Sequence, residues 1–364
     1  MNTALTSLLA WAKRNERHLS SLFFLSGFIG DIIAFTLLDV SIVNLVFAVY
    51  LGLAALAILV SHYLFSHYRD RGGRAVRTLS LLLPLFVQYA VGAILSGSLI
   101  FYTKSADVFV SWPFLVVLAI VFFGNEVFRN YREHLAFQTM LFFFGLYAYA
   151  IFALPLLLGR LGPQVFIFST ISAGLLMAAF LLVLYRVGQN RFRESFRAIV
   201  AGSATIVVAI NIAYVTGLIP PLPLALKEAS VHHQVTRVDG GYKLLHEPQK
   251  PWWEFYTPTT VHHVEGTPLS VYSAVYAPVR FSAAVVHVWE WFDESSGKWV
   301  EKSRVSFPVS GGREDGYRGY SEKSNPEPGK WRVSIRTPEG QTIGRTSFIV
   351  VKTANRPTLV EERK

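Results

Sequence analysis

Seven apolar stretches fill the sequence before residue 221, and they constrain the chain more than anything else in it. They run over Ser20–Leu38, Ile42–Tyr63, Leu79–Tyr102, Val108–Phe128, Leu135–Leu158, Gln164–Tyr185 and Phe196–Leu218. A helix of about 20 mostly apolar residues crosses the hydrocarbon core of a bilayer, so each stretch is read as a membrane span. The segments between them are short and polar. The clearest, residues 67–77, carries Arg69, Asp70, Arg71, Arg74 and Arg77, a charge density that no bilayer interior accepts.

The basic residues then give an orientation. Lys13, Arg14, Arg17, Arg69, Arg71, Arg74, Arg77, Arg129, Arg132, Arg186, Arg191, Arg193 and Arg197 fall on one side of the seven spans, and only Lys104 and Arg160 fall on the other. Lys and Arg accumulate in cytoplasmic loops, so the N-terminus, residues 1–18, is expected in the cytoplasm. Leu5, Leu8, Leu9 and Trp11 ahead of the first cations resemble a short interfacial helix rather than a cleavable signal peptide. An odd number of spans then puts everything after Leu218 outside the cytoplasm. The net charge of +10 divides into +7 before residue 222 and +3 after it. The excess is therefore a topology signal, and nucleic acid is not an expected partner. The chain has no Cys, which closes disulfide, thiol-nucleophile and thiolate-metal chemistry.

Composition changes at Ile219-Pro-Pro-Leu-Pro-Leu, a Pro-rich linker expected over 219–228. Six of the eight Trp and six of the ten His lie beyond residue 221. Charged residues make up 16% of the whole chain, but 35 of the 143 residues after 221, an ordinary value for a soluble domain. Short alternating runs recur there: Ser230–Val238, Leu269–Tyr276, Ala283–Phe292, Trp299–Phe307, Gly316–Glu322, Trp331–Arg336 and Thr342–Val351. Seven strands at this spacing predict an all-β, immunoglobulin-like antiparallel sandwich over 229–352. The tail, 353–364, reads as unstructured. In Val286-His-Val-Trp-Glu-Trp291 the period of two puts His287, Trp289 and Trp291 on one face and Glu290 on the other.

Several of these runs, together with part of the apolar half, carry a resemblance. Val271-Tyr-Ser-Ala-Val-Tyr-Ala-Pro278, Val286-His-Val-Trp289, Gly316-Tyr-Arg-Gly-Tyr-Ser-Glu-Lys323, Pro328-Gly-Lys-Trp-Arg-Val333 and Gly344 with Phe348-Ile-Val350 resemble the bacterial domain of unknown function 2914. Glu16–Ser21 leading into Gly27-Phe-Ile-Gly-Asp31 is similar to the polytopic members of that family. The resemblance implies an inner-membrane protein with a periplasmic β-domain and no assigned activity.

The candidate functional residues are few. Asp31 lies near the middle of the first span and Glu126 near the cytoplasmic end of the fourth. Asp31 reads as a helix-packing carboxylate before it reads as a proton relay, and Glu126 as a boundary ion pair with Arg129 and Arg132. Gly92/Ser96, Ala93/Gly97, Gly174/Ala178 and Ala198/Gly202 are small-residue pairs of the kind that let helices approach closely. His232-His233 and His262-His263 are adjacent pairs, which on a strand point to opposite faces. Neither pair chelates one ion, so no metal and no cofactor is expected. Trp289 and Trp331 read as core residues, while Trp252, Trp253, Phe255 and Tyr256 read as a sandwich-edge or lipid-interface cluster. Arg318, Ser321, Lys323, Arg332 and Arg336, with His287 and Trp289 nearby, are the candidate ligand-binding set, a shallow face for a carboxylate or phosphate. No Gly-x-Ser-x-Gly, His-Glu-x-x-His or phosphate-binding loop is present, so an enzyme is the least favoured class. The expected function is partner binding in the envelope, to a protein, peptide or glycan; a transporter or channel with an accessory β-domain is the alternative.

Overall fold

The computed structural model describes residues 28–35, 40–68, 73–105, 107–127, 134–248, 259–279, 281–313 and 315–364. Residues 28–35 are helical, and six longer helices follow: α1 (Val40–Tyr68), α2 (Arg74–Ser105), α3 (Val108–Val127), α4 (Leu135–Leu158), α5 (Pro163–Val187) and α6 (Gln189–Val215). Five of these helical stretches are long and apolar enough to cross a membrane: Val40–Tyr68, Thr78–Ser105, Leu135–Leu158, Pro163–Val187 and Gln189–Val215. Seven are expected from the sequence. The apolar part of α3, Phe109–Gly124, is shorter than the rest, and most of the first expected span lies outside the described residues.

The chain divides into two compact units. One takes the described parts of Met1–Ile100, Leu115–Ala153 and Ser169–Ile210, and the other takes Phe101–Phe114, Leu154–Phe168 and Asn211–Lys364. In the first unit the Phe47 ring meets Phe35 and Phe152 at centroid distances of 5.5 and 5.9 Å. Two of the small residues singled out in the sequence serve close packing there. A Cβ on Gly97 would lie 2.4 Å from the Phe47 ring, and one on Gly202 would meet the Met140 side chain, whereas Gly174 faces open space.

The second unit joins helix ends to the β-rich region. Helix α6 stops in a Schellman motif: Gly217 N–H donates to Tyr214 O at 3.0 Å and Leu218 N–H to Ala213 O at 2.9 Å. Gly217 takes φ +71°, which only glycine adopts freely, and Pro220 and Pro221 prevent any continuation. The α2–α3 turn is fixed by Asp107, which caps α3 by accepting from the Phe109 amide at 3.0 Å. Arg345 from the β-region grips the same carboxylate, its Nη2 lying 2.9 Å from Oδ1.

Eleven strands are described: β1 (Ala225–His232), β2 (Gln234–Val238), β3 (Gly241–His246), β4 (Thr259–Val264), β5 (Pro268–Tyr276), β6 (Ser282–Asp293), β7 (Lys298–Ser310), β8 (Tyr317–Ser324), β9 (Gly329–Arg336), β10 (Thr342–Thr353) and β11 (Val360–Arg363). They form a large sheet β4-β10-β9-β6-β7, a middle sheet β1-β5-β8 and an outer ribbon β11-β3-β2. The middle sheet is covered on both sides. Val275, Phe281, Val285, Val309 and Ile335 build one core between it and the large sheet, and Leu269, Val271, Trp289, Trp331, Val333 and Phe348 build another. On its far side Tyr272 and Ala274 pack against Val235 and Leu244 of the ribbon. Residues of β5 are therefore buried on both faces, and its run Leu-Ser-Val-Tyr-Ser-Ala-Val shows no clean alternation of apolar and polar.

Four expectations are corrected. The run Ser230–Val238 is two strands broken at His233. The next strand, β3, closes a hairpin through Asp239-Gly240, a two-residue turn that the sequence shows and the strand count passed over. The β-region is not wholly antiparallel, because β4 pairs with β10 in parallel from Thr259↔Phe348 to Val264↔Thr353. The tail is not unstructured: β11 pairs with β3, and Lys364 and Tyr242 exchange two main-chain hydrogen bonds. Val-Glu-Glu-Arg reads as solvated because main-chain pairing and the ion pairs Lys243–Glu361 (2.6 Å) and Lys364–Glu228 (3.1 Å) hold it, rather than apolar burial.

Candidate binding face of the β-domain

Strand β6 sorts its side chains as the period of two requires, and each face acquires different partners. Inward, His287 bridges the large and middle sheets. Its Nε2 lies 2.8 Å from Ser273 Oγ on β5 and its Nδ1 lies 2.8 Å from Ser321 Oγ on β8. Trp289 Nε1–H donates to the same Ser321 oxygen at 2.9 Å. All four side chains are buried. Burial pushes the His287 imidazole down to about 4, so it is neutral, and a neutral ring has one donor and one acceptor for the two serines. The arrangement is a satisfied polar pin. A Ser–His pair is present, but a carbonyl substrate cannot reach it between two packed sheets.

Outward, Glu290 collects three partners. Arg332 clamps it in bidentate fashion at 2.8 and 2.9 Å, Ser334 Oγ donates at 3.0 Å, and Arg336 Nη2 approaches to 3.3 Å. Burial by itself would raise the Glu290 carboxyl, but the Arg332 hydrogen bonds and the two guanidinium charges outweigh it and hold the group below the ordinary range. The face continues toward the β6–β7 tip as a row of rings and cations. Arg332 lies 4.4 Å above the Trp299 ring, Trp299 meets Phe292 at 5.2 Å, and Lys330 lies 5.3 Å from Phe292. On the other side of the same end, Lys302 sits 4.8 Å from the Trp291 ring and 3.0 Å from Glu327.

The candidate ligand set drawn from the sequence is thus split. Ser321, His287 and Trp289 are inside the sandwich. Arg318 and Ser321, three residues apart on β8, face opposite ways: Ser321 reaches β6, while a Cβ on Gly241 of the ribbon would lie 3.8 Å from Arg318 Nη1. Lys323 lies on the Ser321 side near the end of β8. Arg332 and Arg336 belong to the outer face of a different sheet, already engaged by Glu290. One strand's alternation shows which residues share a face, but not that β8 and β9 lie in different sheets. The group that does converge is Phe292, Trp299, Lys330 and Arg332. Its aromatic members were legible as part of the β6 and β7 runs, but no spacing links them to β9.

Asp31 is half-buried beside Ser96 of α2, and Glu126 lies in the last turn of α3 with its side chain outside the described residues. One buried group was missed. His62 of α1 is 1% exposed and its Nε2 lies 3.0 Å from Gly188 O, where a Cβ would collide with the ring. The paired histidines do alternate: His263 is buried and donates to Thr267 O, while His262 is exposed and meets Glu247 at 2.7 Å. His233 reaches the same carboxylate at 3.0 Å. Among the described residues no group of three His, Cys, Asp or Glu side chains is arranged to hold a metal ion. Trp252, Trp253, Phe255 and Tyr256 lie outside the described residues.

The molecule so described belongs to a class with five helices long and apolar enough to cross a membrane, followed by a β-rich region of mainly antiparallel sheets. Residues 282–350, from the start of β6 into β10, match the family described as protein of unknown function, DUF2914. The comparison with curated proteins gives no match. Three solved structures are similar. An immunoglobulin-like protein from Pseudomonas aeruginosa is 12% identical over 36% of this chain and 98% of its own, with a TM-score of 0.23. A β-glucosidase from Listeria innocua in complex with gluconolactone is 12% identical over 34% of this chain and 16% of its own, at 0.19. A Pseudomonas fluorescens alkylpurine DNA glycosylase bound to DNA containing an abasic site analog is 9% identical over 84% of this chain and 99% of its own, at 0.23. Resemblances at these TM-scores carry no argument about fold or activity.

Proposed function

We propose that the protein is a bacterial inner-membrane protein of seven spans whose β-domain lies on the periplasmic side and binds an envelope partner, a protein, peptide or glycan, without catalysing a reaction. The supporting observation is the row Phe292, Trp299, Lys330 and Arg332. It combines ring faces for stacking or apolar contact with the exposed Lys330 cation for a carboxylate or phosphate, Arg332 being held by Glu290. Its location fits a reaching role. The opposite end of β6 is tied to the helix ends, where Ser282 N–H donates to Gly159 O at 3.1 Å. Ten residues of strand at about 3.3 Å each place Phe292 roughly 33 Å further along.

The test is crosslinking and affinity purification from native membranes with the full-length protein and with a Trp299→Ala/Lys330→Glu variant. An envelope component captured by the first and lost by the second supports the reading. Equal capture by both removes this face from it. The transporter reading keeps one specific support, a half-buried Asp31 in an apolar helix. Substrate flux abolished by Asp31→Asn in a folded protein would favour that reading.

A further inference from the structure

The β5–β6 turn presents an apolar side chain on a rigid frame. Phe281 N–H donates to Pro278 O at 3.1 Å, Gly311 N–H to Phe281 O at 2.8 Å, and Gly312 N–H to Ala277 O at 3.1 Å. The two loops touch so closely that a Cβ on Gly311 would stand 1.6 Å from the Pro278 carbonyl oxygen. Ala277 and Phe281 are buried in the core at either end of the turn. Between them Val279 is 72% exposed. Pro278 before it and Phe281 beyond it are tied by these hydrogen bonds.

Two ties put this turn at the helix end of its unit. Tyr276, just before it, pairs with Ala225, the first strand residue after α6. Ser282, just after it, bonds to Gly159 in the α4–α5 turn, and Leu161 of that turn packs against the core that holds Phe281. The helix ends in the same unit carry exposed apolar residues as well: Leu157 at 72%, Val215 at 84% and Phe109 at 83%. Arg160 beside Gly159, and Arg313 beside Gly312, are exposed cations. A side chain at Gly312 would touch Val279, at 3.9 Å.

We infer that the Val279 turn is a lipid-contacting foot on which the β-domain rests against the outer leaflet. Val279 enters the boundary between headgroups and acyl chains, and Arg160 and Arg313 lie at the level of anionic headgroups. The surface fits a lipid because its apolar tip is small and flanked by cations, and because the turn that carries it is tied to the α4–α5 turn, whose neighbour Leu157 is also exposed. The inference rests on the membrane reading given above. It makes the β-domain a seated body whose distance from the bilayer is fixed.

The absence of Cys makes the test specific. Single cysteines replacing Val279, Leu175 on α5 and Glu294 at the β6–β7 tip each carry a nitroxide label in the full-length protein, reconstituted into vesicles of phosphatidylethanolamine and phosphatidylglycerol. Leu175 and Val279 are 66% and 72% exposed and Glu294 is exposed, so the labels do not disturb packing. Accessibility to oxygen, which concentrates in lipid, is compared with accessibility to a water-soluble nickel chelate. The expected oxygen-to-nickel ratio is highest at 175, intermediate at 279 and lowest at 294. A ratio at 279 equal to that at 294, with 175 still high, overturns the lipid foot and leaves the membrane reading intact. A ratio at 175 as low as that at 294 overturns the membrane reading itself.

Discussion

His287 shows how a single buried group ties the stability of the β-domain to pH. Its imidazole is pushed from an ordinary 6.5 down to about 4 in the fold, so below pH 6.5 the unfolded chain binds a proton that the folded one refuses. Its contribution is complete above pH 6.5 and is lost as pH falls from 6.5 toward 4. Between pH 6.5 and 5 the loss is about 2 kcal/mol. His232, also pushed to about 4 chiefly by burial, adds to the same slope. Chemical unfolding of the full-length protein in detergent, followed by Trp fluorescence at both pH values, measures it. His287→Leu is expected to flatten the slope while costing about 1–3 kcal/mol at pH 7.5, since Ser273 and Ser321 lose a partner. Glu290 has the same sign in a lower pH window. Its depressed carboxyl stabilises above its ordinary value and the benefit is lost on acidification. Glu290→Gln is expected to cost about 1.5 kcal/mol, the low end for hydrogen bonds to charged groups, because the arginines are partly solvated.

At the scale of elements, sequence patterns foretold some strands and missed others for identifiable reasons. β6 and β9 have one face toward the core, so alternation reveals them. β5 is covered on both sides, and the ribbon β11-β3-β2 that covers one of them is held by pairing and ion pairs as much as by apolar residues. Deleting residues after Thr353 is expected to remove hydrogen-exchange protection from the β3 amides around Leu244 and His246, which pair with Glu362 and Val360, and to leave β9 protected. The α2–α3 turn gives a second test. Asp107→Ala removes the α3 cap and the partner of Arg345 together, whereas Arg345→Ala leaves the buried Asp107 carboxylate without its counter-ion. Thermal unfolding is expected to show a loss of about 3 kcal/mol for Arg345→Ala and a smaller one for Asp107→Ala, which takes the buried charge away with its partner.

At the scale of the whole molecule, the division of the chain into two units does not coincide with its change of composition. Phe101–Phe114 and Leu154–Phe168 have the composition of the apolar half, yet they belong to the unit that contains all eleven strands. Both segments, and the end of α6, lie where the loops carry only Lys104 and Arg160. A cysteine replacing Glu294 is expected to react with a membrane-impermeant maleimide in cells with a permeabilised outer membrane, and one replacing Gly73 is not. Labelling of Gly73→Cys and not of Glu294→Cys would reverse the topology. The sequence by itself determined that the first half is helical and too apolar for water, where strongly charged segments interrupt it, and that the β6 side chains divide into two faces. Those properties are set by local composition and period. Only the tertiary structure decided that Ser321 joins His287 and Trp289 in the core, that Arg318 and Arg332 stand apart, that β4 runs parallel to β10, and that Arg345 reaches Asp107. Each depends on which segments distant in sequence lie side by side, and a periodicity of two or 3.6 residues carries no information about that.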